Sequence, residues 1–183
     1  SVCIEAFLLA ESKILTNENI TNHWKDINNL VKETLVIRKA KTSDAKEFCD
    51  VIRTSIIQLC KIDHNDDQKE LQQWLENKTL ENCEKWILNS NTNTFVAEYN
   101  QNIVGIADIG HNGHLYLCYL LPAVKGLGIG KKLLLEAERS VLNLGLTSLT
   151  LESTLSSKGF YEHYGYVHTG NTNTCLKYTK LIK

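Results

Sequence analysis

Seven residues, Lys125-Gly126-Leu127-Gly128-Ile129-Gly130-Lys131, narrow the choice of folds more than any other stretch of this chain. Ahead of them His114-Leu115-Tyr116-Leu117-Cys118-Tyr119-Leu120-Leu121 reads as a strand stopped by Pro122. Behind them apolar residues at 133, 134, 137, 141 and 144 repeat with helical spacing over Lys131–Leu144, and Gly145 is placed as a C-cap. A glycine-rich turn from strand to helix leaves several N–H groups without partners at the positive end of a helix dipole, which suits a phosphate or pyrophosphate. Glycine lets the backbone come close to such a ligand and adopt positive φ, both of which a Cβ obstructs. Lys125 and Lys131 add positive charge.

Spacing separates the phosphate-binding classes. A nucleotide-hydrolysing P-loop needs GxxxxGK followed by Ser or Thr, but here Lys125 falls at the first glycine and Lys132 at the hydroxyl. The dinucleotide pattern GxGxxG puts Lys131 or Leu133 where its last glycine belongs. The strand ahead of the turn also lies in a meander, because Thr94–Tyr99 and Ile103–Ile109, separated by Asn100-Gln101-Asn102, form a hairpin signal, and His111-Asn112-Gly113 forms the next turn.

Upstream, Leu35–Ala40 reads as a strand. Thr42-Ser43-Asp44 then offers N-cap oxygens to a helix with Ala45, Phe48, Val51, Ile52, Ile56 and Leu59 on its apolar face. His64–Asp67 breaks the chain before a helix carrying Leu71, Trp74 and Leu75, and a further helix is expected around Thr79–Leu88. Downstream, Ser148–Leu151 reads as a strand, Ser156–Tyr164 as a short helix ended by Gly165, and Tyr166–Thr169 with Cys175–Thr179 as a closing hairpin. The expected order is β-α-α-β-β-β-α-β-α-β-β, a mixed α/β layer on one sheet. Residues 1–34, Asn-rich from Asn17 to Asn29, form an N-terminal appendage, with Trp24, Ile27, Leu30 and Val31 on one helical face, and residues 35–183 form the main domain.

The balance of 20 basic and 21 acidic residues leaves no electrostatic footprint for nucleic acid. No apolar run approaches the length of a membrane span. The start Ser1–Glu5 lacks the basic residues that precede the apolar part of a signal peptide, so none is expected there, and without any Met the start is expected to be a processed one. The six cysteines, without CxxC spacing, are expected to be reduced core residues in a cytoplasmic protein that holds no metal.

Leu120-Leu121-Pro122 followed by Lys125-x-x-Gly128-x-Gly130 resembles the signature of the GNAT superfamily of acyl-coenzyme A N-acyltransferases, Gln/Arg-x-x-Gly-x-Gly/Ala after an apolar-x-Pro step. Lys125 departs from it, since lysine lacks the planar fork of arginine. Gly159-Phe160-Tyr161-Glu162-His163-Tyr164-Gly165-Tyr166 resembles the family's Phe-Tyr-Glu-x-x-Gly-Phe/Tyr segment, and the likeness covers about residues 35–179. It implies a mainly antiparallel sheet of six to seven strands flanked by helices. It further implies acetyl-CoA as cosubstrate and direct transfer of its acetyl group to an amine acceptor, with a homodimer as an option.

The resemblance also assigns roles. Main-chain groups of Cys118, Tyr119 and Leu120 would face the pantetheine arm, and Lys125, Gly126, Leu127, Gly128, Ile129, Gly130 and Lys131 the pyrophosphate. Tyr161 stands where the family places the acid that protonates the departing sulfur. His114, near Tyr116, stands where arylalkylamine-type members carry a proton relay, with Glu98, Asp108 and Glu152 as alternative bases. Asp63, His64 and Trp74 fall in the segment where the family forms its acceptor wall. Cys118 as an acyl-enzyme nucleophile competes with a plain buried role, and Tyr164 and Tyr166 are expected in the core or at its rim. A different class stays open: a non-catalytic acyl-CoA sensor whose N-terminal arm engages a partner.

Overall fold

Leu35 through Leu181 build one seven-stranded sheet whose order, β1-β2-β3-β4-β5-β7-β6, places the only parallel pair among the described residues at its middle. The computed structural model describes residues 34–172 and 174–183, so the expected N-terminal helical face lies outside the described residues. The strands are β1 (Leu35–Lys39), β2 (Thr92–Tyr99), β3 (Asn102–Gly110), β4 (His114–Leu120), β5 (Ser148–Ser153), β6 (Val167–Asn171) and β7 (Leu176–Leu181). The helices are α1 (Ala45–Leu59), α2 (Gln68–Glu76), α3 (Leu80–Ile87), α4 (Ile129–Asn143) and α5 (Lys158–His163). Three helices therefore stand between β1 and β2, each of them expected from the residues, although the condensed order counted two.

Local rules explain most boundaries. Asn100 and Gln101, with φ of 49° and 67°, make the tight turn that closes β2 on β3. Asp67 caps α2 by accepting from the N–H groups of Lys69 (2.8 Å) and Glu70 (2.9 Å), and Thr79 caps α3 through Asn82 N–H. The start of α1 differs from the expected cap: Thr42–Asp44 is a 3-10 turn, and the Asp44 carboxylate turns back to Lys41 N–H and to Arg38. At the end of α4, Gly145 at φ 74° lets Leu146 N–H reach Val141 C=O and its own N–H reach Leu142 C=O, a Schellman ending.

Helices cover both faces of the sheet. On one, Leu133, Leu134, Ala137 and Val141 of α4 pack with Ala97, Ala107, Ile109, Leu115 and Leu149. On the other, Phe48, Ile52 and Ile56 of α1 and Cys83 of α3 pack with Val96, Ile103 and Ile106. Each fully buried large apolar side chain there contributes about 1.5–3 kcal/mol. No helix among the described residues is long and apolar enough to cross a membrane.

Candidate functional site

The sheet is continuous on one side of β4 and interrupted on the other. Towards β3, β4 is paired from Leu115 to Leu120 except at Tyr116, which is the extra residue of a bulge, since Asp108 lies opposite Leu117 and Ile109 opposite Leu115. Towards β5 only His114 with Thr150 and Leu115 with Leu151 are paired. β4 must be parallel to β5 because α4 crosses between them, and past Leu115 the two strands part. The gap is a crevice of about 210 Å³. It runs through the sheet, for its walls include Ser55 and Leu59 of α1 and the adjoining Cys60 from one face and Phe160 and Tyr161 of α5 from the other.

At one end of the crevice stand Lys125 and Gly130. Gly126 and Gly128 have φ of 88° and 76°, and a Cβ added to either would meet nothing within 4 Å. Their lack of a side chain thus serves backbone conformation and leaves open space beside the main chain. Gly130 has a different reason: a Cβ there would lie 3.0 Å from Leu120 and 3.2 Å from Phe160, so it lets the start of α4 pack closely on β4 and α5. Gly128 is the N-cap and has no side chain to offer, and Lys132 N–H makes the first helical bond back to it. The amides of Ile129, Gly130 and Lys131 lie in the first turn, before the helical ladder begins. Lys125 N–H and Leu127 N–H, by contrast, bond to Pro122 and Val124 carbonyls inside the turn. Of the seven expected cradle amides these two are already engaged, and the Leu127 side chain points to solvent.

Tyr161 forms the opposite wall. A second Schellman ending, with Gly165 at φ 82°, ties Tyr166 N–H to Tyr161 C=O and fixes the last turn of α5. The Tyr161 ring packs edge-on against Phe160 and Tyr166 and is 6% exposed. Burial first, then the neighbouring Cys118, hold its pKa well above the ordinary tyrosine value. Burial pushes the Cys118 thiol up to about 11, with Tyr161 pulling the other way. Tyr166 donates to Glu138 (3.0 Å) and Tyr164 packs on Phe160, so both belong to the packing around the site.

His114 stands at the first of the two paired steps of β4 and β5. Its Nδ1 is 2.9 Å from Thr150 Oγ1, and its ring lies edge-on at 4.9 Å to Tyr116, which, unlike His114, lines the crevice. Burial lowers its pKa, opposed by Glu152, which lines the crevice. Of the other carboxylates considered as bases, Glu98 is engaged by Arg38 at 2.8 Å, and Asp108 lies outside the crevice.

Asp63, His64 and Trp74 are placed elsewhere. The Asp63 carboxylate accepts from Leu155 N–H and from Ser156 N–H and Oγ, which ties the α1–α2 loop to the turn before α5. His64 is 1% exposed, with Nε2 3.3 Å from Ile56 C=O and its ring edge-on to Trp74. Trp74 packs against the α1 core. None of the three lines the crevice. Ser55 and Leu59 of α1, which do line it together with the adjoining Cys60, follow an ordinary helical repeat, so nothing local marks them; Phe160 lies in the Gly159–Tyr166 segment, whose resemblance assigned it no role.

Residues 60–177, well over half of the chain, match the family model described as an acetyltransferase (GNAT) domain. The chain belongs to the GNAT acetyltransferases. A curated protein of Bacillus subtilis (strain 168), itself carrying only an unproven acetyltransferase assignment, is 33% identical over 75 residues, and the match spans 39% of this chain and about half (51%) of that relative. Among solved structures, the PaiA N-acetyltransferase of Thermoplasma acidophilum in complex with coenzyme A superposes with a TM-score of 0.71 at 23% identity, over 81% of this chain and 99% of that one. A GCN5-related N-acetyltransferase from Rhodopseudomonas palustris gives 0.73 at 21%, over 81% and 96%. YncA of Salmonella typhimurium, solved with its cofactor acetyl-CoA, gives 0.55 at 17%, over 82% and 95%. These likenesses show the GNAT fold, with a mixed seven-stranded sheet and flanking helices.

Proposed function

We propose that this GNAT domain binds acetyl-CoA along the parted edge of β4 and transfers the acetyl group directly to a primary amine of a small molecule or peptide. One observation carries the proposal: the opening between β4 and β5 leads from an uncapped, glycine-built helix start to a buried tyrosine hydroxyl. The amides of Gly126, Gly128, Ile129, Gly130 and Lys131 and the Lys125 side chain serve the pyrophosphate. Past Leu115, β4 offers main-chain groups with no strand beside them to the pantetheine arm. The solved relatives that hold coenzyme A or acetyl-CoA support this reading.

When bound, acetyl-CoA supplies an activated acyl carbon, to which the amine nitrogen bonds as the carbon–sulfur bond breaks. A substrate ammonium must first lose one proton, a task for His114 through Tyr116 or water, since its lowered pKa keeps the imidazole neutral near pH 7. The nitrogen loses its second proton as the amide forms, while Tyr161 gives its proton to the departing sulfur and recovers one from solvent. The Tyr161 phenol stays protonated over the working pH range and is always loaded as a donor. A thiolate formed at the depth of Cys118, where a thiol rises to about 11, takes up a proton readily. The same burial keeps Cys118 a thiol and so a weak nucleophile, which favours direct transfer over an acyl-cysteine intermediate.

The test is titration of acetyl-CoA by calorimetry, followed by thiol release on adding primary amines. Saturable binding with amine-dependent release supports the enzyme. Binding without release under any amine returns the sensor reading, and no binding removes both.

A further inference from the structure

A second cavity, of about 550 Å³, opens where the ends of α2 and α3 meet the β3–β4 turn, and it shares Tyr116 with the crevice. Its size is that of a small-ligand pocket. Tyr116 is held at the shared boundary, its hydroxyl accepting from Asn112 Nδ2 at 3.1 Å.

Two charged groups line this cavity and neither has an ionic partner among the described residues. Asp108 on β3 is 5% exposed, and its carboxylate accepts from Thr94 Oγ1 at 2.8 Å. Buried carboxylates are ordinarily paired with a cation, and leaving one unpaired is costly. Lys78 sits in the loop joining α2 to α3, its ammonium 5.7 Å from the centre of the Trp86 ring and donating to Asn77. The loop itself is anchored, for the Lys78 carbonyl accepts from Arg53 at 3.0 Å and from Cys49 at 3.3 Å, and the Asn77 carbonyl from Asn82 at 2.9 Å. The ammonium therefore extends from an anchored segment of the wall. His111, Asn89, Asn91 and Asn112 complete a polar rim.

We propose that this cavity is the acceptor site and that it selects a small primary amine bearing its own carboxylate, with Asp108 facing the ammonium and Lys78 the carboxylate. Asp108 and Lys78 do not pair with each other, so a ligand carrying both charges satisfies both at once. Tyr116 at the shared wall brings the acceptor beside the thioester, and the bonds made and broken are those already described. Burial raises the Asp108 pKa and lowers that of Lys78, the directions expected of two charges lacking partners, and a zwitterionic ligand reverses both.

This inference rests on the acetyltransferase reading, and its test keeps the two apart. Thiol release is measured with matched pairs: alanine and ethylamine, phenylalanine and 2-phenylethylamine, lysine and 1,5-diaminopentane. The expected result is kcat/KM at least tenfold higher for the amino acid of a pair. Asp108→Asn is expected to raise the acceptor KM at least tenfold and Lys78→Gln to abolish the preference within each pair, while calorimetry gives an acetyl-CoA Kd within twofold of wild type for both, which also verifies folding. Release that prefers the decarboxylated amines, or an acceptor KM indifferent to both substitutions, overturns the acceptor assignment and leaves the transferase standing. So does acetyl-CoA binding without release from any of the six compounds. Failure to bind acetyl-CoA at all overturns the transferase reading itself.

Discussion

The corner where β1, α1 and β2 meet and the seam where β4 and β5 part treat charge and backbone in opposite ways. At the corner, Arg38 clamps Asp44 with two bonds of 2.7 and 3.1 Å and holds Glu98 at 2.8 Å, while Asp44 also takes Lys41 N–H. Five consecutive residue pairs join β1 to β2 beside it. At the seam two residue pairs join β4 to β5, the helix start has no cap, and nearby Asp108 and Lys78 lack ionic partners among the described residues. Satisfied groups make a scaffold. Groups held in place without partners keep their free energy for a ligand, which is how a site differs from a core.

The contrast is sharpened most by Tyr161→Phe. Removing the hydroxyl while the ring stays in its aromatic cluster is expected to lower kcat about 100-fold, roughly 2.7 kcal/mol of barrier, with acetyl-CoA affinity within twofold by calorimetry. A variant turning over at the wild-type rate breaks the assignment of the acid. Asp44→Ala is the counterpart in the scaffold: with Arg38 and Lys41 N–H losing their acceptor, about 2–3 kcal/mol of stability should disappear in urea titrations, with the acetyl-CoA Kd unaffected. Burial alone would raise the Asp44 pKa, but the hydrogen bonds from Arg38 and Lys41 overcome it and the net shift is downward. The stability it confers is thus fully present above the unfolded value of about 3.9 and is lost as pH falls through the lower folded value. The acid limb of the stability curve should accordingly be shallower in the variant.

Smaller effects follow from backbone and titration. Gly128→Ala forces a side chain into φ 76° at a cost of roughly 1–2 kcal/mol, expected as about a tenfold loss of coenzyme A affinity. An unaltered Kd would show that the left-handed turn does not serve the ligand. The smallest signal is the pH dependence of kcat/KM. Burial lowers the His114 pKa, so a base at His114 stays neutral below the ordinary 6.5 and the acid limb should begin under that value. Glu152→Gln removes an attraction that opposes the shift and should move the limb lower still; an unmoved limb assigns it to another group.

Periodicity and turn chemistry carried most of the fold. The β2–β3–β4 meander, the long helix ended by Gly145 and the closing hairpin all rest on residues close in sequence, and their ends moved by only a few positions in the structure. The two short helices that Asp67 and Thr79 start were legible one by one, each from its own cap and apolar positions, although the condensed order counted one helix fewer. The glycine turn was equally legible, since positive φ at Gly126 and Gly128 is a local demand. Asp63 was not, for its carboxylate is taken by Leu155 and Ser156, 92 and 93 residues away, and no pattern within a window reveals such a partner. The same holds for Asp108, whose burial depends on what α3 and β2 lay over it.

Strand and helix identities, the caps at Asp67, Thr79 and Gly145, and the glycines at positive φ depend on steric and hydrogen-bond preferences within a few residues, so the amino-acid order is enough to set them. The width of the β4–β5 opening, the depth of Tyr161 and the isolation of Asp108 arise from segments far apart in the chain meeting in space. Desolvation acts on volume and not on sequence distance, and only the assembled sheet and helices decide which polar groups find partners and which are left facing a cavity.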